Sequence, residues 1–166
     1  MSGTPLIVHG WKIYANPLFL DQLDALIAQV EAIKQKDPAG FAKKNAAKRL
    51  AAISLMAFDT IPQDPARDEY RQGTTLGDEH KHWFRAKFFQ QYRLFFRYHA
   101  ASRTIVYAWV NDEDTKRAYG SGDDAYRLFR KMLEDGHPPG DWDHLLHEAR
   151  AAAPRLEKAA RGAATP

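Results

Sequence analysis

The chain has no cysteine. That excludes disulfides, thiolate catalysis and Cys-ligated zinc. It has no apolar run near the ~20 residues needed to span a bilayer. Met1-Ser2-Gly3-Thr4-Pro5 lacks a charged region followed by an apolar one, so no secretory signal is expected and a cytoplasmic protein is the default. There is no Gly-rich phosphate loop and no serine nucleophile elbow. The most informative shortage is local. From His80 to Asn111, 32 residues contain no Asp or Glu.

That stretch holds six cations: Lys81, Arg85, Lys87, Arg93, Arg97 and Arg103. It also holds ten of the chain's 20 aromatics, from Trp83 to Trp109. A core segment is apolar and charge-poor, and an ordinary surface balances its signs. This segment is both apolar and one-signed, which folding alone does not require. Cations interleaved with rings suit a polyanion carrying flat bases: Lys and Arg meet phosphates, and rings stack on bases. The net charge is only +3, so the concentration of charge matters more than its sum.

A length of 166 residues suggests one domain with a sizeable core. We expect that domain over 1–153 and a frayed, Ala-rich tail over 154–166. Residues 6–14 read as a short strand or two. Asn16-Pro17 opens an amphipathic helix, marked by Phe19, Leu23, Leu26, Ile27, Val30 and Ile33, that ends near Asp37-Pro38. A second helix is expected from about 41 to 58, forming a hairpin with the first. Residues 59–80 read as a long loop. Three strands follow, roughly 82–89, 92–99 and 104–110, as an antiparallel meander. Helices begin near Asp123 or Asp124 and at Asp141. The fold class is α+β: a mainly antiparallel β-sheet, an N-terminal α-helical hairpin on one face, and C-terminal helices.

Strand alternation puts Arg85 and Lys87 on one face, and Arg93, Phe95 and Arg97 on one face of the next strand. One sheet face is expected to pack on helices while the other presents cations. For any single cation a solvated surface is the plainer reading; for the set, the missing acids argue against it. No metal or other cofactor is expected. His80 and His82, or His144 and His147, do not have the His-Glu-x-x-His metalloprotease order, and the acid-free stretch offers no carboxylate ligand.

Several short motifs together resemble one family. They are Tyr92-Arg93-Leu94-Phe95-Phe96-Arg97-Tyr98, Trp109-Val110-Asn111-Asp112-Glu113, Tyr119-Gly120, and Gly136-His137-Pro138-Pro139 followed by Asp141-Trp142. Gly10-Trp11, Tyr14-Ala15, Pro17 and the Gly73–Gly77 loop fit as well. From about residue 9 to 148 the chain is similar to YhaV-type toxins of type II toxin–antitoxin systems, within the RelE-like endoribonucleases. The resemblance implies a basic, metal-independent endoribonuclease that cleaves mRNA, in many relatives on the ribosome, and inhibits translation and growth. It implies a PrlF-like antitoxin partner, and contact with operator DNA only through the antitoxin complex. No membrane partner is implied.

Carried over residue by residue, the resemblance assigns catalysis to Arg85, Lys87, Arg93 and Tyr119. Arg97, Arg117, His99 and Lys81 become candidate RNA contacts. Where RelE-like chains place an Arg after the last strand, this chain has Asp112-Glu113-Asp114, and Arg117 is the candidate substitute. Two other readings use the same cations: a non-catalytic RNA- or ribosome-binding module, and a co-repressor acting on DNA only within the antitoxin complex.

Overall fold

The computed structural model describes residues 6–73, 75–111 and 122–164. Strands β1 (Leu6–Val8) and β2 (Trp11–Ala15) form an antiparallel hairpin. Its two-residue turn needs positive φ twice, met by His9 (φ 50°) and Gly10 (φ 83°). Asn16 then caps α1 (Pro17–Lys36), its side-chain oxygen accepting from the Leu18 amide at 3.0 Å. Pro17 sits in the first turn, where its missing N–H costs nothing. Helix α2 (Asn45–Leu55) continues into a wide turn over 56–60. The expected long loop is instead punctuated by short helical turns at 61–63, 68–70 and 78–80.

Strands β3 (Phe84–Phe88), β4 (Tyr92–His99) and β5 (Thr104–Val110) form the expected antiparallel meander. The sheet order is β1-β2-β5-β4-β3, and β2 runs parallel to β5. The sheet is therefore mixed, with two strands ahead of the helical hairpin. Helices α3 (Gly122–Glu134), α4 (Trp142–Ala151) and α5 (Ala153–Ala164) complete the described chain. The expected frayed tail is instead helical as far as Ala164. Leu156, Ala159 and Ala163, at helical spacing, bury one stripe of α5 in the core that α1 and α2 share. Among the described residues, no helix is long and apolar enough to cross a membrane.

The sheet is covered on both faces, which corrects the expectation of one open cationic face. On one side α1, α2 and α5 pack over Ile13, Leu94, Phe96, Ile105 and Tyr107. On the other, α3 and α4 bring Phe129, Leu133, Leu145 and Ala149 onto Phe95, Val106, Ala108 and Trp109. β5 is buried along its whole length, as a strand with two covered faces must be. A bulge opposite Phe95/Phe96 breaks its alternation. Phe95 pairs with Trp109 and Phe96 with Tyr107, so Ala108 is the extra residue. The bulge turns Trp109 towards the second face, where it stacks at 5.7 Å on Phe129.

Candidate active site

Four cations of β3 and β4 share the second face, and their surroundings separate them into two groups. Arg85 and Lys87 alternate along β3, and the register sets Lys87 directly opposite Arg93 on β4. Like charges facing each other across a sheet cost roughly 0.2–1 kcal/mol. Arg85 faces Phe95, the residue between Arg93 and Arg97. Phe95 is fully buried, stacked at 4.3 Å on Phe129 of α3. This aromatic plug divides the row of cations.

On one side of the plug stand Arg85, Lys87 and Arg93, joined by Tyr126 of α3. Arg85 Nε donates to the Tyr126 hydroxyl at 2.7 Å, and Arg85 Nη1 donates to the Glu69 carbonyl at 2.6 Å. The guanidinium is thus held on two sides. Arg93 lies over the Tyr126 ring, 5.8 Å from its centroid. Arg93 Nη1 also donates to the Gln90 carbonyl at 2.8 Å. Its Nε is buried and has no hydrogen-bond partner. Lys87 is exposed and makes no ion pair among the described residues. Asn111, buried at the end of β5, accepts from the Arg93 amide and donates to the Gln91 carbonyl. It fastens the β3–β4 turn beside the site.

On the other side, Arg97 lies between two rings, 5.7 Å from Trp83 and 5.4 Å from Trp142. Its Nη1 donates to the Gly140 carbonyl at 2.6 Å. Burial lowers its pKa, opposed by the charge of Asp141. Arg97 therefore ties β4 to the start of α4, and the structure does not bring it to Arg85. His99 stacks on Trp142 at 5.8 Å, and its Nδ1 meets the Ser102 hydroxyl at 2.8 Å. Lys81 pairs with Asp78 at 3.8 Å. Tyr119 and Arg117 lie outside the described residues.

The residue that sequence reasoning missed is Tyr126. Its spacing with Phe129 and Leu133 marks it as inward-facing, and it is indeed only 7 % exposed. The available hint was the choice of Tyr over Phe, since a buried hydroxyl needs a partner. Chemically, the group offers two arginines and a lysine on one rigid hairpin. Arginine grips phosphate oxygens in a fork, lysine adds a point charge, and both stabilise negative charge that develops on phosphorus-bound oxygens.

Comparison with known proteins agrees with this chemistry. Residues 13–150 match a family described as a toxin with endonuclease activity, of a toxin–antitoxin system. The chain is similar to the toxin YhaV of Escherichia coli O6:H1, 45 % identical over 146 residues, covering 87 % of this chain and 95 % of the relative. It is 44 % identical, with the same coverage, to the ribonuclease toxin YhaV of Escherichia coli K12. No solved structure matches.

Proposed function

Because this chain belongs to the YhaV family of toxins with endonuclease activity from toxin–antitoxin systems, we propose that it is a metal-independent endoribonuclease acting on mRNA in the cytoplasm. The observation that carries the reading is the Lys87–Arg93 pair beside Arg85. Three cations sit on one hairpin with no carboxylate between them among the described residues. A fold keeps such repulsion where an anion relieves it.

The ribose 2′-OH attacks the adjacent phosphorus while the P–O5′ bond breaks. The 2′-OH proton leaves, and the departing 5′-oxygen gains one. The products are a 2′,3′-cyclic phosphate and a 5′-hydroxyl. Charge gathers on the non-bridging oxygens, where Arg85 and Arg93 act as forked donors and Lys87 as a point charge. Tyr126 positions Arg85. Tyr119 is the candidate for stacking or donation near the scissile bond, and Arg117 for a further phosphate contact. Lys81 and His99 are candidate peripheral RNA contacts. Arg97, clamped by Trp83 and Trp142, serves the scaffold first. A PrlF-like antitoxin would silence the site, and ribosome-bound mRNA is the substrate whose loss stops translation and growth.

The test is single-turnover cleavage of a labelled RNA by the purified chain, with chelator and with or without ribosomes. Cyclic or 3′-phosphate ends, formed despite chelator and abolished by antitoxin, are expected. Products with 3′-hydroxyl ends that require a divalent ion would refute the mechanism. RNA that is bound but never cut would turn the chain into a binding module.

A further inference from the structure

A second cationic surface lies around the tip of the same hairpin, and the mechanism above does not use it. From Pro38 to Phe58 the chain again contains no acid, while Lys43, Lys44, Lys48 and Arg49 are all cations. Lys48 and Arg49, near the start of α2, line a cavity of about 580 Å³. Gln29 of α1 and Asn45 supply polar groups on one side. Phe89 and Gln91 of the β3–β4 turn also line it. The volume falls within the range of pockets that hold a small organic ligand.

Three details point to the occupant. Phe89 is 50 % exposed although it is one of the chain's large apolar side chains. It adopts φ 48° and Gln90 φ 64°, so the turn holds the ring at the surface in a conformation that a bulky residue rarely adopts. Arg49 lies over the Tyr92 ring at 5.9 Å, and its buried Nε has no hydrogen-bond partner. The third detail is continuity. Arg93 bonds the Gln90 carbonyl from the catalytic side, while Gln91 next in sequence lines the cavity. Lys87 and Phe89 are two residues apart, at most about 7 Å along the backbone. A flexible polyanion leaving the Arg85–Arg93 group needs only to round this tip to meet two more cations and the Phe89 ring, half-exposed and packed edge-on against Phe88 at 5.5 Å.

We propose that this cavity is a second subsite for single-stranded RNA. It takes a nucleotide flanking the scissile one, with its base against Phe89 and its phosphate at Lys48 and Arg49. The proposal rests on reading the Arg85 group as the RNA-cleaving site. A nucleotide is favoured over an acidic protein segment because a half-exposed ring stands beside the amide side chains of Gln29, Asn45 and Gln91, which can read base edges.

Fluorescence anisotropy on the full chain tests it, using uncleavable 2′-O-methyl single strands of about 4 and about 12 nucleotides, within the span of known single-strand sites. Phe89→Asn is the first variant, because Asn tolerates positive φ and should leave the turn intact. The parent should bind the long strand more tightly than the short one. Phe89→Asn should weaken the long strand by about tenfold and the short one by no more than about twofold, the loss expected for one stacked base. Lys48→Gln should lower the log–log salt slope on the long strand by about 0.7, one phosphate's worth. Equal affinity of the parent for both lengths, or variants that bind the long strand as the parent does, overturns the subsite and leaves the cleavage reading standing. Variants with parental RNA affinity but weakened antitoxin binding would assign the cavity to the protein partner and overturn it too. A parent that binds neither strand overturns the subsite, and the cleavage reading is then decided by the single-turnover assay with ribosomes.

Discussion

Replacing Arg85 by Ala should slow cutting by about 10²–10³-fold while preserving the fold. Arginine has five N–H donors in a fixed fork. Here Nε is held by Tyr126 and one Nη1 donor by the Glu69 carbonyl, so the guanidinium cannot swing. Its other donors bond to no described residue and are free for phosphate oxygens. A charge fixed in advance stabilises the transition state without reorganising, and removing one such donor elsewhere costs about 10²–10³ in rate, roughly 2.7–4 kcal/mol. The side chain is half-buried, so water screens it less than it screens exposed Lys87. We expect a loss in that range for single-turnover cleavage at saturating RNA.

The structural cost is smaller. Arg85→Ala takes a donor from the Tyr126 hydroxyl and from a carbonyl that water can reach, about 1–3 kcal/mol at most. A domain with roughly 5–15 kcal/mol of stability remains folded. A thermal melt and retained antitoxin binding establish that before rates are compared. Arg85→Lys should recover only part of the activity, because an ammonium cannot grip two oxygens while also holding Tyr126. Weakened RNA binding with an unchanged cutting step would mean that Arg85 contacts the ground state alone. A folded Arg85→Ala chain that cuts at near the parental rate refutes the reasoning and moves the search to Tyr119 and Arg117.

Tyr126→Phe keeps the ring beneath Arg93 and against Phe95 but removes the acceptor that aims Arg85; we expect about a tenfold slower cutting step with little change in the melt, since slight misplacement of a catalytic group costs rate. Parental cutting by Tyr126→Phe would reduce Tyr126 to a core residue. Tyr107→Phe tests the scaffold instead: the hydroxyl, fully buried and with its pKa pushed well up by that burial, donates to the Ala57 carbonyl. Leaving that carbonyl unpaired should cost about 1–3 kcal/mol in urea unfolding without altering the cutting step, and a neutral result would show that Ala57 finds another donor.

Of the elements around the site, β4 and β5 were readable to the residue and β3 to within two residues. β4 and β5 were legible because β-branched and aromatic residues dominate them, and α1 because Asn16-Pro17 caps an apolar stripe. The parallel β2–β5 pairing was not legible, since it joins segments some 90 residues apart that share no local signal. The second helical layer left a trace that was available. Thr104-Ile105-Val106-Tyr107-Ala108-Trp109-Val110 does not alternate, and a strand without alternation is covered on both faces. Leu156, Ala159 and Ala163 likewise carried the stripe of a packed helix behind an Ala-rich composition.

Arg93 and Arg97 show where composition stops informing. Each stands two residues from Phe95, on the same face of the same strand. Alternation treats them alike, and so does the count of missing acids. Their fates differ because α3 lays Phe129 on Phe95 and α4 places Trp142 beyond it. Arg93 keeps Lys87 as its neighbour, whereas Arg97 is held between two rings and bonded to the Gly140 carbonyl, although the Nε of each is buried without a partner. An acid-free run therefore raises the expectation of a bound anion, but the aromatics within it decide which cations stay available for one. The same logic extends past the strands. Phe89, half-exposed at the β3–β4 turn, lines a cavity together with Tyr92 of the same run and with Lys48 and Arg49 of the second acid-free segment.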